Sequence, residues 1–121
     1  MRLKECPNSP NCVSSQTDKQ SHKVQAFSYV RDEKQVWTEL EKILLSLSNV
    51  DLVQKKDAYI HVTFTTPIMR FVDDVELLLE NDKKLIHVRS ASRVGYYDLG
   101  ANRKRVEKLR QLFLSKGLIV S

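Results

Sequence analysis

Residues 59–90 carry the feature that most restricts how this chain can fold: three consecutive stretches with a two-residue hydrophobic period, parted by short polar breaks. Tyr59 to Thr65 alternates, with Ile60, Val62 and Phe64 on one side and Tyr59, His61 and Thr63 on the other. Thr66-Pro67-Ile68-Met69 breaks the pattern, and Arg70 to Leu79 resumes it. Phe71, Val75, Leu77 and Leu79 then share one side, and Val72, Asp74, Glu76 and Leu78 the other. Asp73 falls on the apolar side, where an acid needs partners. Lys84 to Ser90 returns, with Ile86 and Val88 opposite His87 and Arg89. Spacing this short predicts antiparallel hairpins. With Asn81-Asp82 as the two central residues of the second turn, Leu77 meets Ile86 and Val75 meets Val88 on the core side. Glu76 then faces His87 and Asp74 faces Arg89 on the other side, while Asp73 lies opposite Ser90.

Two helices flank this meander. Asp32 reads as an N-cap, with Gln35 three residues on. Val36, Trp37, Leu40, Ile43, Leu44 and Leu47 recur at helical spacing and form one apolar face, which ends at Ser48-Asn49. At the other end Asp98 reads as a cap, followed by a stripe of Leu99, Asn102, Val106, Leu109 and Phe113. On that stripe the Asn102 amide points at the sheet and must find partners there. Lys23 to Val30 reads as a short edge strand, and Val50 to Gln54 as another strand, turning at Lys55-Lys56-Asp57. Lys4 to Ser15, with two prolines and no periodic apolar face, reads as loop. Cys6 and Cys12 bracket it, and the sequence leaves open a small disulfide loop or two thiols.

Charge is unevenly placed. Residues 1–80 hold ten Lys and Arg against twelve Asp and Glu, whereas residues 81–121 hold ten against three. The basic half can attract phosphates, nucleic acid or acidic partners, or simply neutralise the first half on folding. Arg103, Lys104 and Arg105 crowd the start of the last helix, where the helix dipole disfavours cations. Asp73, Asp98 and Glu107 are the internal acids that could offset them; a bound anion is the external alternative. Across the meander, Tyr59, His61, Asp74, Glu76, His87 and Arg89 share the face turned away from the apolar side. That set is ordinary decoration of a solvated sheet face, or else acid–base or metal chemistry.

Four segments resemble a known family: Cys6-Pro-Asn-Ser-Pro-Asn-Cys-Val-Ser-Ser15, Phe71-Val-Asp-Asp-Val-Glu76, Arg89-Ser-Ala-Ser-Arg-Val-Gly95 and Asp98-Leu-Gly-Ala-Asn-Arg-Lys-Arg-Val-Glu107. Together they look like the domain-of-unknown-function 1499 family of small bacterial and plant proteins. His22 also matches a histidine that follows the Cys-Pro loop in that family. The resemblance implies one domain of about this size and no established activity. Its polar signature falls on Ser14, Ser15, Asp73, Asp74, Glu76, Arg89, Ser90, Ser92, Arg93, Asp98, Asn102, Arg103, Arg105 and Glu107.

The sequence therefore predicts an α+β fold: a curved, mainly antiparallel sheet of about five strands with two helices packed on one face, in the order β-α-β-β-β-β-α. Residues 1–22 are expected to be an N-terminal Cys-Pro loop segment and residues 23–121 a single α+β domain. The leading functional expectation is a ligand-binding or interaction module with an anion-favouring site. Arg89, Arg93, Arg103 and Arg105 would form it, among Asp73, Asp74, Glu76, Ser90, Ser92, Asp98 and Asn102. A hydrolase or metal-assisted enzyme using Asp74, Glu76 and a histidine is the alternative. Nucleic-acid binding through the basic half and Tyr96-Tyr97 ranks third, because no recognised motif accompanies it. No cofactor is expected, and the partner is a small anionic ligand or a protein. No apolar run approaches a membrane span or an export signal, so the chain as written reads as cytoplasmic, with a removed leader placing it in the cell envelope.

Overall fold

The structure, a computed structural model, describes residues 2–121. Its elements are β1 (Cys12–Ser14), β2 (Phe27–Ser28), α1 (Glu33–Ser46), β3 (Val50–Lys56), β4 (Tyr59–Thr65), β5 (Val72–Glu80), β6 (Leu85–Ser92) and α2 (Ala101–Ser115). They form an α+β fold with one six-stranded antiparallel sheet, ordered β1-β6-β5-β4-β3, with β2 also paired to β6. The short strands β1 and β2 lie end to end along β6, β1 against Arg89–Ala91 and β2 against Leu85–Ile86. β1 is the strand that the sequence hides inside a loop. Three residues are too few to show a period, and the prolines before them read as breakers. β3 forms the far edge, and its ladder shifts register between Leu52 and Gln54.

Alternation decides which side of the sheet is dry. Ile60, Val62, Phe64, Val75, Leu77, Ile86 and Val88 are buried on one side, against Val36, Leu40 and Leu44 of α1 and Val106, Leu109 and Phe113 of α2. The Phe113 ring meets Phe27 edge to face at 5.5 Å, a favourable arrangement for aromatic quadrupoles. Asp32 caps α1, its carboxylate accepting the Lys34 and Gln35 amides at 3.1 and 3.2 Å. Leu99 leaves the expected stripe. It lies before α2 with φ 56° and is 90% exposed.

The hairpin between β5 and β6 differs from the sequence expectation. Its loop is four residues, a 3-10 turn at Asn81–Lys83 followed by Lys84 in the left-handed region at φ 53°. The register therefore slips by two: Glu76 lies opposite Arg89, Asp74 opposite Ala91 and Asp73 opposite Ser92. A slip of two keeps every side chain on its face, so the core is untouched while the polar partners change.

The second side of the sheet is not simply open. The N-terminal segment crosses it, packing Leu3 against Tyr59 and Leu78. The Cys6–Cys12 disulfide packs beside Ala91. The Gln16 side chain holds the start of this segment by accepting the Leu3 amide at 2.8 Å.

Candidate functional site

The sequence-predicted site residues fall on both sides of the sheet. On the helix side, Asp73 is buried and accepts Arg105 Nη1 at 2.6 Å. Arg105 also lies over the Phe64 ring at 5.0 Å and reaches Asn102 Oδ1 at 3.3 Å. Asn102, fully buried, is the hub. Its Oδ1 accepts the Ser90 hydroxyl at 2.6 Å. Its Nδ2 lies within reach of Ser92 Oγ at 2.8 Å, Asp98 Oδ2 at 2.9 Å and the Asn11 carbonyl at 3.1 Å.

Asp98 docks the start of α2 from two residues outside it. Gly100, at φ 78°, takes the cap position itself. The Asp98 carboxylate accepts the Gly100 and Asn102 amides at 2.8 and 3.0 Å. Burial opposes its charge, but these bonds outweigh it and hold the carboxyl below the usual range. Asn11 is the member that sequence reasoning missed. Its carbonyl also accepts the Ser92 amide at 3.0 Å, and its side chain donates to the Gly95 carbonyl at 2.6 Å. The available signal was its position, a polar side chain directly before Cys12 at the mouth of the disulfide loop.

Across the sheet, Asp74 accepts His61 Nε2 at 2.8 Å and a two-pronged Arg93 contact at 3.0 Å on each prong. Burial alone would raise the Asp74 pKa. The Arg93 and His61 hydrogen bonds win and lower it. Glu76 accepts the Tyr59 hydroxyl at 2.5 Å and Arg89 Nη1 at 3.3 Å. Burial, then the Glu76 contact, pushes the Tyr59 phenol well above its ordinary value. Arg89 Nε is buried and finds no hydrogen-bond partner among the described residues. His87, which the shorter turn would have set against Glu76, lies opposite Leu78 instead.

Arg103 belongs to neither set. Its guanidinium donates to the Lys23 and Ser21 carbonyls at 2.7 and 3.0 Å, tying α2 to the turn at Gln20–His22. The four arginines therefore do not converge. Arg89 and Arg93 lie on one side of the sheet, Arg105 on the other, and each of these three holds an internal carboxylate. Glu107, a candidate partner for Arg103, pairs with Arg110 at 3.0 Å.

A Ser15–His87–Glu80 chain has the order of a hydrolase triad, with Ser15 Oγ 3.1 Å from His87 Nδ1 and His87 Nε2 2.8 Å from Glu80. Ser15 is buried, however, and its Oγ already accepts the Val88 amide at 2.9 Å, which occupies a nucleophilic lone pair. His22 is likewise committed, its Nδ1–H donating to the Cys12 carbonyl at 2.8 Å. Among the described residues, no three His, Cys, Asp or Glu side chains group so as to hold a metal ion.

Two of the concavities on the helix side adjoin the sequence-predicted residues. One, of about 250 Å³, lies between the β4–β5 and β6–α2 connections. Phe71, Val94, Tyr97 and Leu99 wall it, and Thr66, Asp73, Ser92 and Asp98 are its polar lining. The other is a groove of about 510 Å³ running along α2, lined by Phe64, Leu47, Leu109 and Leu112, with Lys104, Arg105 and Lys108 beside them.

This architecture defines a class: a small α+β protein whose last helix docks on an antiparallel sheet through a buried Asp–Arg–Asn–Ser network. The chain belongs to the family described as "Protein of unknown function (DUF1499)", whose model matches residues 2–113, nearly its whole length. A comparison with curated proteins gives no match.

Proposed function

We propose that the protein is a binding module whose ligand is an amphipathic anion, a carboxylate or phosphate head on an apolar chain, held in the groove along α2. The observation that carries this reading is the lining of that groove. Lys104, Arg105 and Lys108 line it together with Phe64, Leu109 and Leu112, and no carboxylate among the described residues does. Arg105 is engaged by Asp73, but Lys104 and Lys108 make no ion pair among the described residues. A groove of about 510 Å³ falls within the range typical of small-molecule sites. The anion-favouring character expected of the chain is thus supported on α2, around Arg105 and its lysine neighbours. Arg89, Arg93 and Arg103 are occupied elsewhere.

The hydrolase reading has less support. Asp74 is bonded by Arg93 and His61 and held below the usual carboxylate range, which makes it a weak general base near neutrality. The Cys6–Cys12 bridge supports an oxidising compartment over the cytoplasm. No helix among the described residues is long and apolar enough to cross a membrane.

Thermal unfolding with decanoate, with decyl phosphate and with inorganic phosphate tests the groove. The two chain-bearing anions are expected to raise the melting temperature, by an amount corresponding to about 2.7 kcal/mol at a hundredfold excess over Kd. Inorganic phosphate alone is expected to do far less. Lys104→Ala with Lys108→Ala should remove most of the shift while leaving the unliganded melting temperature in place. An unchanged melting temperature with both chain-bearing anions, or an equal shift in the double variant, would overturn the reading.

A further inference from the structure

The end of the sheet where β4 turns into β5 and β6 leaves for α2 carries an unusual surface. Two connections, residues 66–71 and 93–100, meet there. The Arg93 amide donates to the Val72 carbonyl at 3.1 Å, and both connections line the 250 Å³ cleft. From the first, Ile68 and Met69 stand 90% and 66% exposed, with Phe71 beside them half exposed. From the second come Val94, Tyr96, Tyr97 and Leu99, the last 90% exposed. Single exposed apolar residues need no explanation, but seven from two adjoining loops do.

Their backbone is also costly to hold. Arg70 and Leu99 adopt φ 58° and 56°, a region where side chains other than glycine are disfavoured. Tyr96 and Tyr97 brace one another edge to face at 4.9 Å. The charge of this surface is positive. Arg70 is exposed in the first loop and makes no ion pair among the described residues. The single acid of the second loop, Asp98, is turned inward onto the Gly100 and Asn102 amides.

From this combination we infer that the paired loops 66–71 and 93–100 form a peripheral docking surface for an anionic lipid bilayer. Side chains as exposed as Ile68 and Leu99, carried on two loops that together line a cleft, suit insertion among fluid acyl chains better than apposition to a flat protein face. Tyrosines favour the headgroup level, where the ring is buried and the hydroxyl stays wet. Arg70, exposed in the first of these loops, is drawn to anionic headgroups, an interaction of about 1 kcal/mol per cation. This inference does not rest on the groove along α2, whose lysines it does not use.

Co-sedimentation of the full chain with vesicles of phosphatidylcholine, alone or mixed with phosphatidylglycerol, tests it. Wild type is expected to pellet with the mixed vesicles and to be released progressively by salt. Ile68→Ser with Leu99→Ser, at positions too exposed to support the fold, should weaken binding at least about tenfold with the melting temperature preserved. Arg70→Gln should weaken it about fivefold on mixed vesicles and leave neutral ones unaffected. Wild type remaining in the supernatant with both vesicle types would overturn the inference, as would a double variant that binds like wild type. Concentration-dependent self-association abolished by the double variant, with no vesicle binding, would make the surface a protein interface and equally overturn it.

Discussion

Arg105 reaches from the second turn of α2 to place Nη1 2.6 Å from the Asp73 carboxylate, so the sheet's one acid on the apolar side is neutralised by the helix that covers it. The two side chains are unequally buried, Arg105 at 14% exposed and Asp73 at 5%. Removing either leaves the other behind, and the arginine is both the less buried and the longer of the two.

The two single variants should therefore differ. Arg105→Ala strands a buried carboxylate and is expected to lower unfolding stability by about 3–5 kcal/mol. Asp73→Ala should cost less, because the longer side chain can swing its charge outward while its apolar stem stays packed. Urea unfolding of both single variants and the double variant checks this. The double variant is expected to be less destabilised than the sum of the two.

Asn102→Ala removes partners from Ser90, Ser92, Asp98 and the Asn11 carbonyl together. The Ser90 hydroxyl is buried and loses its partner, whereas the Asn11 carbonyl keeps the Ser92 amide. A loss of about 1–3 kcal/mol is expected from that unsatisfied group, with the lost docking of α2 adding to it. Asn102→Asp should be no milder, since it swaps a donor for a second carboxylate beside Asp98. Equilibrium unfolding of the two variants measures both effects.

The disulfide loop makes a second kind of prediction. Cys6→Ser with Cys12→Ser should lower stability by about 2 kcal/mol, the loop-closure entropy of so short a bridge. The distinctive readout is local. Asn11 sits beside Cys12 and holds Ser92, Gly95 and Asn102. Hydrogen exchange should therefore quicken at the Ser92 and Asn102 amides more than in β4.

Acid should act through the carboxyls whose pKa values are lowered on folding, Asp74 and Asp98 among them. Asp74 is depressed by Arg93 and His61, and Asp98 by the Asn102 and Gly100 groups, in each case against the opposing effect of burial. A depressed folded pKa contributes stability that is present above the unfolded value, about 3.9, and lost as pH falls through the folded one. The urea midpoint is expected to hold from neutrality to about pH 5 and to decline below about pH 4. Asp98→Asn should start lower at neutrality and fall less steeply.

How far the sequence could be read depends on which physical signal each element leaves. β4 and α1 were legible because alternation and helical spacing persist through them, and Asp32 marks a helix start in plain chemistry. β1 left no period in three residues. The β5–β6 turn misled because Glu76 finds a base at either register, His87 or Arg89, so charge pairing could not choose between them. Only the left-handed Lys84, a conformation that no glycine announced, sets the longer loop. The arginines were legible as a group but not as a site. Strand alternation sends Arg89 and Asp73 to opposite sides, and helix direction turns Arg103 away from Arg105. Asn11 was invisible because its role comes from a carbonyl and from contacts more than 80 residues away along the chain.

The sheet has two flanks, and they are closed by different means. Along β6 the backbone is taken by β1 and β2 laid end to end. Along β3 it is free, but the register shift at Leu52–Gln54 bends the strand, and Lys55 and Lys56 repel a second basic edge. The molecule thus has no flat strand to offer as a template for fibril growth. Runaway polymerisation would first require β1 or β2 to peel from β6, and two Ser15–Val88 hydrogen bonds hold the first of these just past its end.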